Sequence, residues 1–214
     1  MALPDQVDVV IVGGGVMGAS AAFHLAEAGV SVLLCEKNEL ASGSTSKAAG
    51  GVRANFSDEF NVALGARSLD LFADFKTRPG YEIDLHRSGY LFALTTQEDV
   101  DLFEKSTKIH NQFNVESRML TPGEAGKISP LLNTSDLLAA SFTPNDGHCT
   151  PESVVLGYAG GAKKLGATVL TNTEVTGIKL NGNEITAVTT SAGEVRTSTV
   201  INCAGAWSPQ IGSM

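Results

Sequence analysis

Three glycines and one acidic residue near the start of the chain have the spacing of a nucleotide-binding turn. Gly13, Gly15 and Gly18 form a Gly-x-Gly-x-x-Gly motif, and Glu36 follows 18 positions after Gly18. In such a motif the first glycine makes a tight turn, the second lets a pyrophosphate approach the backbone, and the third lets a helix pack closely on a strand. Glu36 is either an acceptor for ribose hydroxyls or a solvated residue at a strand end. The spacing favours the ribose role.

The elements that must position these residues are predicted on both sides of the turn. Val7–Val12 is a β-branched run, Ala19–Ala28 has good helix propensity, and Val30–Cys35 is a second apolar run. A helix that begins just after the glycines directs free N–H groups at a phosphate. Glycines also serve other sharp strand-to-helix turns, so it is this strand, helix and strand context that indicates a dinucleotide site.

A loop of small residues follows Glu36. Asn38–Asn55 is rich in Ser, Thr, Ala and Gly, and its only cations are Lys47 and Arg53. Such a loop can present backbone N–H groups and hydroxyls to a phosphate or a ring edge, whereas the alternative is a flexible linker. Helix signals follow at once, with Ser57 as the predicted N-cap, which favours a structured loop.

The middle of the chain lacks the rhythm of a parallel β-α fold. Its predicted elements are two short strands within Tyr81–Leu94 around the Arg87–Gly89 turn, a helix over Gln97–Asn114, a short helix with a capping box at Thr121, and a strand over Leu137–Phe142. We therefore predict an antiparallel α+β insertion over residues 81–142, as part of a substrate-binding domain. Residues 1–80 and 143–214 would form a discontinuous nucleotide-binding domain.

The β-α rhythm returns near residue 150. A helix is predicted from Thr150 and Pro151 to Leu165, and then strands over Ala167–Leu170, Glu174–Leu180, Glu184–Thr190, Glu194–Thr197 and Thr199–Cys203. The last strand leads into Ala204–Ser208, a second turn of small residues. Ligands collect at the carboxyl ends of strands in open α/β sheets, so this turn should complete the site.

Composition excludes several classes of partner. The 214 residues carry a net charge of −8, so no general attraction to nucleic acid or anionic membrane is expected. The N-terminal residues show neither a signal peptide nor a membrane span, and we predict a cytoplasmic protein. Three separated cysteines and four histidines lack metal-ligand spacing and predict no metal or disulfide; they are Cys35, Cys149, Cys203, His24, His86, His110 and His148.

With these pieces in order, the sequence resembles the flavin-dependent amine and amino-acid oxidases, a family that includes D-amino-acid oxidase, glycine oxidase and sarcosine oxidase. The matching segments are VVIVGGGVMGASAAFHLAEAG, the acidic Glu36, SGSTSKAAGGVR, PESVVLGYAGGAKKLGA, TEVTGI and VINCAGAWS. The resemblance implies an α/β fold with a Rossmann-like, glutathione-reductase-like FAD-binding domain. It implies FAD contacts at Gly13, Gly15, Val16, Met17, Gly18, Glu36, Lys37, Ser42, Gly43, Ser44, Thr45, Ser46, Val175, Ala204, Gly205 and Trp207.

The resemblance also implies a reaction. Arg53 falls where sarcosine-oxidase-like members place an arginine for the substrate carboxylate; its alternative is a solvated cation at a helix entrance. The expected activity is oxidation of the C–N bond of a small secondary amine or amino acid, with a hydride equivalent passing to flavin N5. Two alternatives stay open: a non-catalytic FAD-binding module and, less favoured, a nicotinamide-dependent dehydrogenase.

The sequence departs from the family pattern in two respects. Pro151 stands where heterotetrameric sarcosine oxidase β subunits carry the histidine that holds a second flavin, so no covalent FMN is predicted. Complete relatives continue well beyond the CAGAWS turn, whereas this chain stops at Met214. We therefore expect either a fragment or a fold completed by a partner chain or by self-association.

Overall fold

The fold is a mixed α/β arrangement of short strands and six α-helices, described over residues 2–214 by a computed structural model. The strands are β1 (Val9–Val12), β2 (Val32–Cys35), β3 (Gly51–Val52), β4 (Tyr90–Leu94), β5 (Arg118–Leu120), β6 (Ala139–Thr143), β7 (Gly147–His148), β8 (Thr168–Leu170), β9 (Val175–Asn181), β10 (Glu184–Thr190), β11 (Gly193–Arg196) and β12 (Thr199–Asn202). The helices are α1 (Val16–Glu27), α2 (Glu59–Ala73), α3 (Gln97–Gln112), α4 (Pro122–Ile128), α5 (Pro151–Lys164) and α6 (Ser208–Gly212).

The chain forms two compact units. The first comprises the chain up to Ala49 together with Phe75–Ile83 and Thr150–Met214, and the second comprises Gly50–Asp74 and Asp84–Cys149. The second unit thus includes residues 50–74, although the sequence pattern predicts that they belong to the nucleotide-binding domain. The roles of the two units in cofactor and substrate binding stay predictions.

A four-stranded parallel sheet is the centre of the first unit. Its strand order is β12-β1-β2-β8, and Val10 of β1 lies between Leu33 of β2 and Val200 of β12. Every residue of β1 and β2 is buried. Continuous apolar runs rather than alternating ones are typical of parallel strands covered on both faces. The predicted return of the chain to this sheet at β8 is confirmed, and β12 joins the sheet at its other edge, where its residues are exposed or half-buried.

Two other layers cover the parallel sheet. The antiparallel sheet β11-β10-β9 contributes Val175, Val188 and Val195 to one core with β1 and β2. The second layer consists of α1 and α5, which pack against each other. Gly161 of α5 is needed at this contact, because an added Cβ would lie 2.9 Å from the Phe23 ring of α1. Both predicted hairpins, at Gly182 and before Gly193, are confirmed.

The second unit is built on the antiparallel sheet β4-β6-β5 and the short pair β3-β7. Helix α4 has the predicted capping box, in which Thr121 and Glu124 satisfy each other's backbone amides. One apolar cluster joins Ala54, Val62, Leu69 and Val115, and a smaller one joins Leu120, Ala125 and Ala140. The predicted antiparallel α+β character of the middle region is confirmed.

Two local predictions were wrong. The N-cap of α2 is Asp58 rather than Ser57, because the Asp58 carboxylate accepts the Asn61 backbone N–H at 3.0 Å. Within Tyr81–Leu94 only β4 is a strand. The segment before it makes a single isolated bridge between His86 and His148, and the positive φ of 54° at Asp84 interrupts extended backbone there.

Within residues 2–214, no helix combines the length and the apolar character that crossing a bilayer requires.

The buried His110 predicts a pH-dependent stability of the second unit. Its side chain is fully buried, its Nε2–H donates to the Phe56 carbonyl at 2.7 Å, and burial lowers its pKa from the usual value of 6.5. The unfolded chain therefore takes up the proton first as the pH falls. This contribution to stability is complete above pH 6.5 and is lost as the pH falls through the folded-state pKa.

Urea unfolding of wild type and of His110→Gln at about pH 7.5 and about pH 5.5 tests this expectation. Wild type should lose more stability on acidification than the Gln variant, whose amide does not titrate. His148→Gln is the control, because His148 is exposed. Equal pH dependence in wild type and His110→Gln would contradict the role assigned to His110.

Candidate cofactor site

A cavity of about 300 Å³ lies in the first unit, at the carboxyl ends of β1, β2 and β12. Four segments that are distant in sequence meet there: the glycine turn with the start of α1, the loop after β2, the turn before β9, and the stretch from the end of β12 to Met214. Its lining is Val12, Gly13, Gly15, Val16, Met17, Cys35, Glu36, Lys37, Asn38, Ser42, Gly43, Ser44, Thr45, Thr173, Glu174, Val175, Cys203, Ala204, Gly205, Trp207, Gln210, Ile211 and Met214.

The three motif glycines have different surroundings. Gly13 has a φ of 109° and an added Cβ would clash with the Cys203 carbonyl, while a Cβ on Gly18 would clash with the Gly13 carbonyl. These two glycines therefore permit the close approach of β12, β1 and α1. A Cβ on Gly15 would meet only Thr45 Oγ1, at 3.4 Å. Gly15 leaves bare backbone at the cavity wall, as a pyrophosphate requires.

Backbone amides orient the carboxylate of Glu36. Oε2 accepts the Gly14 N–H at 2.7 Å and Oε1 accepts the Asn38 N–H at 2.8 Å, with the side chain half-buried. The Glu36 carbonyl accepts the Thr173 N–H at 2.8 Å, which attaches the turn before β9. Each carboxylate oxygen has further lone pairs, so the group can still accept hydrogen bonds from ribose hydroxyls.

The start of α1 suits an anion. Its N-cap is Gly15, its first turn contains no acidic residue, and the Val16 N–H donates to Thr45 Oγ1 at 3.2 Å. The first amides of a helix lack intrahelical partners and carry the positive end of the helix dipole. A pyrophosphate beside Gly15 would meet this end of the helix and the Thr45 hydroxyl.

Trp207 and Lys37 form another part of the cavity wall. The Lys37 Nζ lies 4.7 Å from the centroid of the Trp207 ring, and an added Cβ on Gly43 would be 3.6 Å from that ring. An aromatic face and a nearby cation suit a flat ring that is attached to phosphates.

Two thiols line the cavity without being reactive. Burial raises the pKa of Cys35 to about 12 and also raises the pKa of Cys203, so both stay protonated thiols. The described part of the chain has no cluster of His, Cys, Asp and Glu suited to a metal ion.

The structure brings together almost all of the residues that the resemblance implied. All of the predicted cofactor residues line the cavity except Gly18 and Ser46. Gly18 acts through its packing on Gly13. Ser46 is exposed, and its hydroxyl donates a hydrogen bond to the Gly43 carbonyl at 3.3 Å. Sequence reasoning missed the lining residues Val12, Cys35, Asn38, Thr173, Glu174, Cys203, Gln210, Ile211 and Met214. Most of these are neighbours of predicted residues, but nothing in the sequence marked those of α6.

Arg53 lies in the second unit and lines a groove there. The groove has a volume of about 310 Å³ and is formed by Gly51, Val52, Arg53, Phe56, Asn61, Leu64, Gly65 and Ser68. Arg53 is half-buried, and its guanidinium carbon lies 5.2, 5.9 and 5.6 Å from the ring centroids of Phe56, Tyr90 and Phe92. Within the described residues Arg53 makes no ion pair. Its in-plane donors are therefore available to an anionic ligand.

The different roles of the glycines predict different outcomes for alanine variants. Gly15→Ala should fold normally and lose FAD affinity by about tenfold or more, because the new methyl group occupies the pyrophosphate face. Gly123→Ala is the matched control, since Gly123 lies on α4 with nothing within 4 Å of an added Cβ. FAD titration followed by flavin fluorescence measures the affinity, and thermal unfolding checks the fold. Unchanged affinity in Gly15→Ala would contradict the proposed pyrophosphate position.

Known proteins of several activities are similar to this chain. It is 34% identical to rat dimethylglycine dehydrogenase, mitochondrial, over 98% of this chain and 25% of that protein. It is 31% identical to glycine oxidase of Geobacillus kaustophilus, over 99% of this chain and 58% of that protein. The crystal structure of L-proline dehydrogenase from P. horikoshii superposes with a TM-score of 0.94 and 38% identity, covering 99% of this chain and 56% of the other.

The chain therefore spans about a quarter of the rat protein and somewhat more than half of the other two. The model of the family described as DAO, FAD dependent oxidoreductase, matches residues 8–214. This match favours FAD over a nicotinamide cofactor and confirms the resemblance found in the motifs. The cavity fits that cofactor, with bare backbone at Gly15 and an oriented carboxylate at Glu36. The chain belongs to the DAO family of FAD-dependent oxidoreductases.

Proposed function

We propose that the protein as a whole oxidises the C–N bond of a small secondary amine or amino acid that carries a carboxylate. The observation that carries this proposal is the guanidinium of Arg53, which lies beside three aromatic rings, lines a small groove and has no ion pair within residues 2–214. The names of the relatives support it, because dimethylglycine, glycine and proline each combine an amine with a carboxylate.

The residues of the groove have separate tasks. Arg53 would bind the substrate carboxylate through two parallel N–H donors, which arginine geometry favours over a point charge. Val52, Phe56 and Leu64 offer an apolar lining, which disfavours a charged ammonium and so favours the neutral amine that the reaction needs. FAD, when bound, supplies the two-electron acceptor.

The absorption spectrum of the whole protein is the first test. We expect a yellow preparation with bound FAD whose colour is bleached anaerobically by N-methylglycine or proline. Acetate, which has the carboxylate without the amine, is the control and should not bleach it. A preparation that takes up no FAD, or that no carboxylate-bearing amine bleaches, would contradict the proposal.

Arg53 predicts a specific kinetic defect. Arg53→Lys should raise KM for N-methylglycine by about tenfold or more, because lysine cannot donate two parallel hydrogen bonds in one plane. Steady-state kinetics with saturating FAD measures the change. Arg67→Lys is the matched control, because Arg67 is an exposed arginine of α2. An unchanged KM in Arg53→Lys would place the carboxylate elsewhere.

A second candidate is a non-catalytic FAD-binding module. The observation in its favour is the short length of the chain beside its relatives, of which it covers 24% to 58%. Analytical ultracentrifugation and FAD titration of the 214-residue chain separate the two cases. Tight FAD binding without turnover by a dimer of this chain supports the module, whereas turnover by this chain alone excludes it.

The cytoplasm stays the predicted location, which cell fractionation tests. The rat and human relatives carry the word mitochondrial in their names.

A further inference from the structure

The segment that follows Arg53 is fixed by three buried hydrogen bonds from two parts of the second unit, helix α3 and the stretch from the end of β6 to the turn after it. They are Ala54 N–H to Asp146 Oδ1 at 2.9 Å, Asn55 Nδ2 to Thr143 Oγ1 at 2.7 Å, and His110 Nε2 to the Phe56 carbonyl at 2.7 Å. The side chains of Asn55, His110, Thr143 and Asp146 are each 5% exposed or less. Three successive residues with such partners cannot shift without leaving a buried polar group unpaired.

Asp146 is the unusual member of this set. It is fully buried, and its second carboxylate oxygen, Oδ2, has no hydrogen-bond partner within the described residues. Burial raises the pKa of Asp146, and the backbone amides of Ala54 and Asn55 and, to a smaller extent, the charge of Arg53 oppose that rise. A buried, half-satisfied carboxylate is costly, so its presence is not explained by stability alone.

Asp146 also hydrogen-bonds the segment that leads into Tyr90 and Phe92. These two rings and the Phe56 ring form an aromatic cage beside the Arg53 guanidinium. The Asp146 backbone carbonyl accepts the Gly89 N–H at 2.8 Å, directly before Tyr90. Its side chain holds Ala54, directly after Arg53. One residue therefore hydrogen-bonds both the arginine segment and the residue before the strand that supplies two of the three rings, Tyr90 and Phe92.

The position of the guanidinium depends on this arrangement. Arg53 lies 5.2 to 5.9 Å from the three ring centroids, and its donors can meet both oxygens of a carboxylate only while the guanidinium plane is held in place. A displacement of about 1 Å in a group that orients a substrate can cost orders of magnitude in rate or affinity.

We propose that Asp146 is a positioning residue for substrate carboxylate recognition, acting through the Ala54 amide to hold Arg53 on its aromatic cage. This inference rests on the proposed function of Arg53. It adds that the selectivity for substrates with a carboxylate depends on a buried residue that does not touch the substrate.

Paired substrates distinguish positioning from a general effect on folding. N-methylglycine carries the carboxylate, whereas N-methylglycinamide carries a neutral amide in its place. In the FAD-loaded whole protein, Asp146→Ala should raise KM for N-methylglycine by about tenfold and leave KM for the amide within about twofold. Asp146→Asn keeps an oxygen for the Ala54 N–H and should restore a KM close to that of wild type.

Two further variants complete the experiment. Ser141→Ala is the control, because Ser141 is fully buried on β6 and its hydroxyl has no hydrogen-bond partner among the residues that the structure describes, so both KM values should stay unchanged. Thr143→Val removes the partner of Asn55 with little change of shape and serves if Asp146→Ala does not fold. It should raise KM for N-methylglycine more than KM for the amide.

The inference is overturned if Asp146→Ala, or Thr143→Val in its place, affects both substrates equally or affects neither. Acetate binding, measured by calorimetry on the same proteins, separates this result from failure of the proposed function. Weaker acetate binding by Asp146→Ala and wild-type binding by Asp146→Asn would support the positioning role even without turnover. Absence of acetate binding in wild type would overturn it.

Discussion

The contact on which the cofactor cavity depends is the approach of α1 to the turn after β1. The absence of a side chain at Gly18 allows the helix to reach the Gly13 carbonyl, and the absence of one at Gly13 allows the end of β12 to approach the same turn. The amides at the start of α1, the loop beside Thr45 and the Glu36 carboxylate are placed by this contact. An alanine at Gly13 or Gly18 would push α1, β1 and β12 apart, although the side chains on these elements are otherwise suited to binding the cofactor.

The two units are stabilised by different kinds of interior. The first has an apolar core of valines and leucines between a parallel sheet and an antiparallel one, which tolerates little polarity. The second has a buried layer of Asn55, His110, Ser117, Thr143 and Asp146, linked in part by hydrogen bonds. A polar interior costs stability but fixes a backbone segment in one place, and here that segment carries Arg53.

Strong local signals allowed much of this fold to be predicted from sequence. The β1, α1 and β2 order, the capping box at Thr121 and both hairpins depend on residues close together in sequence, and all are present in the structure. Asp58 and Ser57 are both good N-caps, so propensity could not decide between them. The buried role of Asp146 was not predictable, because it requires a contact 92 residues away, with Ala54. The lining residues of α6 carried no motif.

The strand order has a consequence for synthesis of the chain on the ribosome. Strand β1 is made first but lies beside β12, and the cavity draws its walls from residues near 12 to 45 and from residues beyond 172. Every residue of the second unit, by contrast, has been translated by Cys149. The second unit can therefore form early, whereas the cavity must wait for a contact of high sequence separation, which closes slowly. A dinucleotide that binds only the folded state would then stabilise this late-forming unit by mass action.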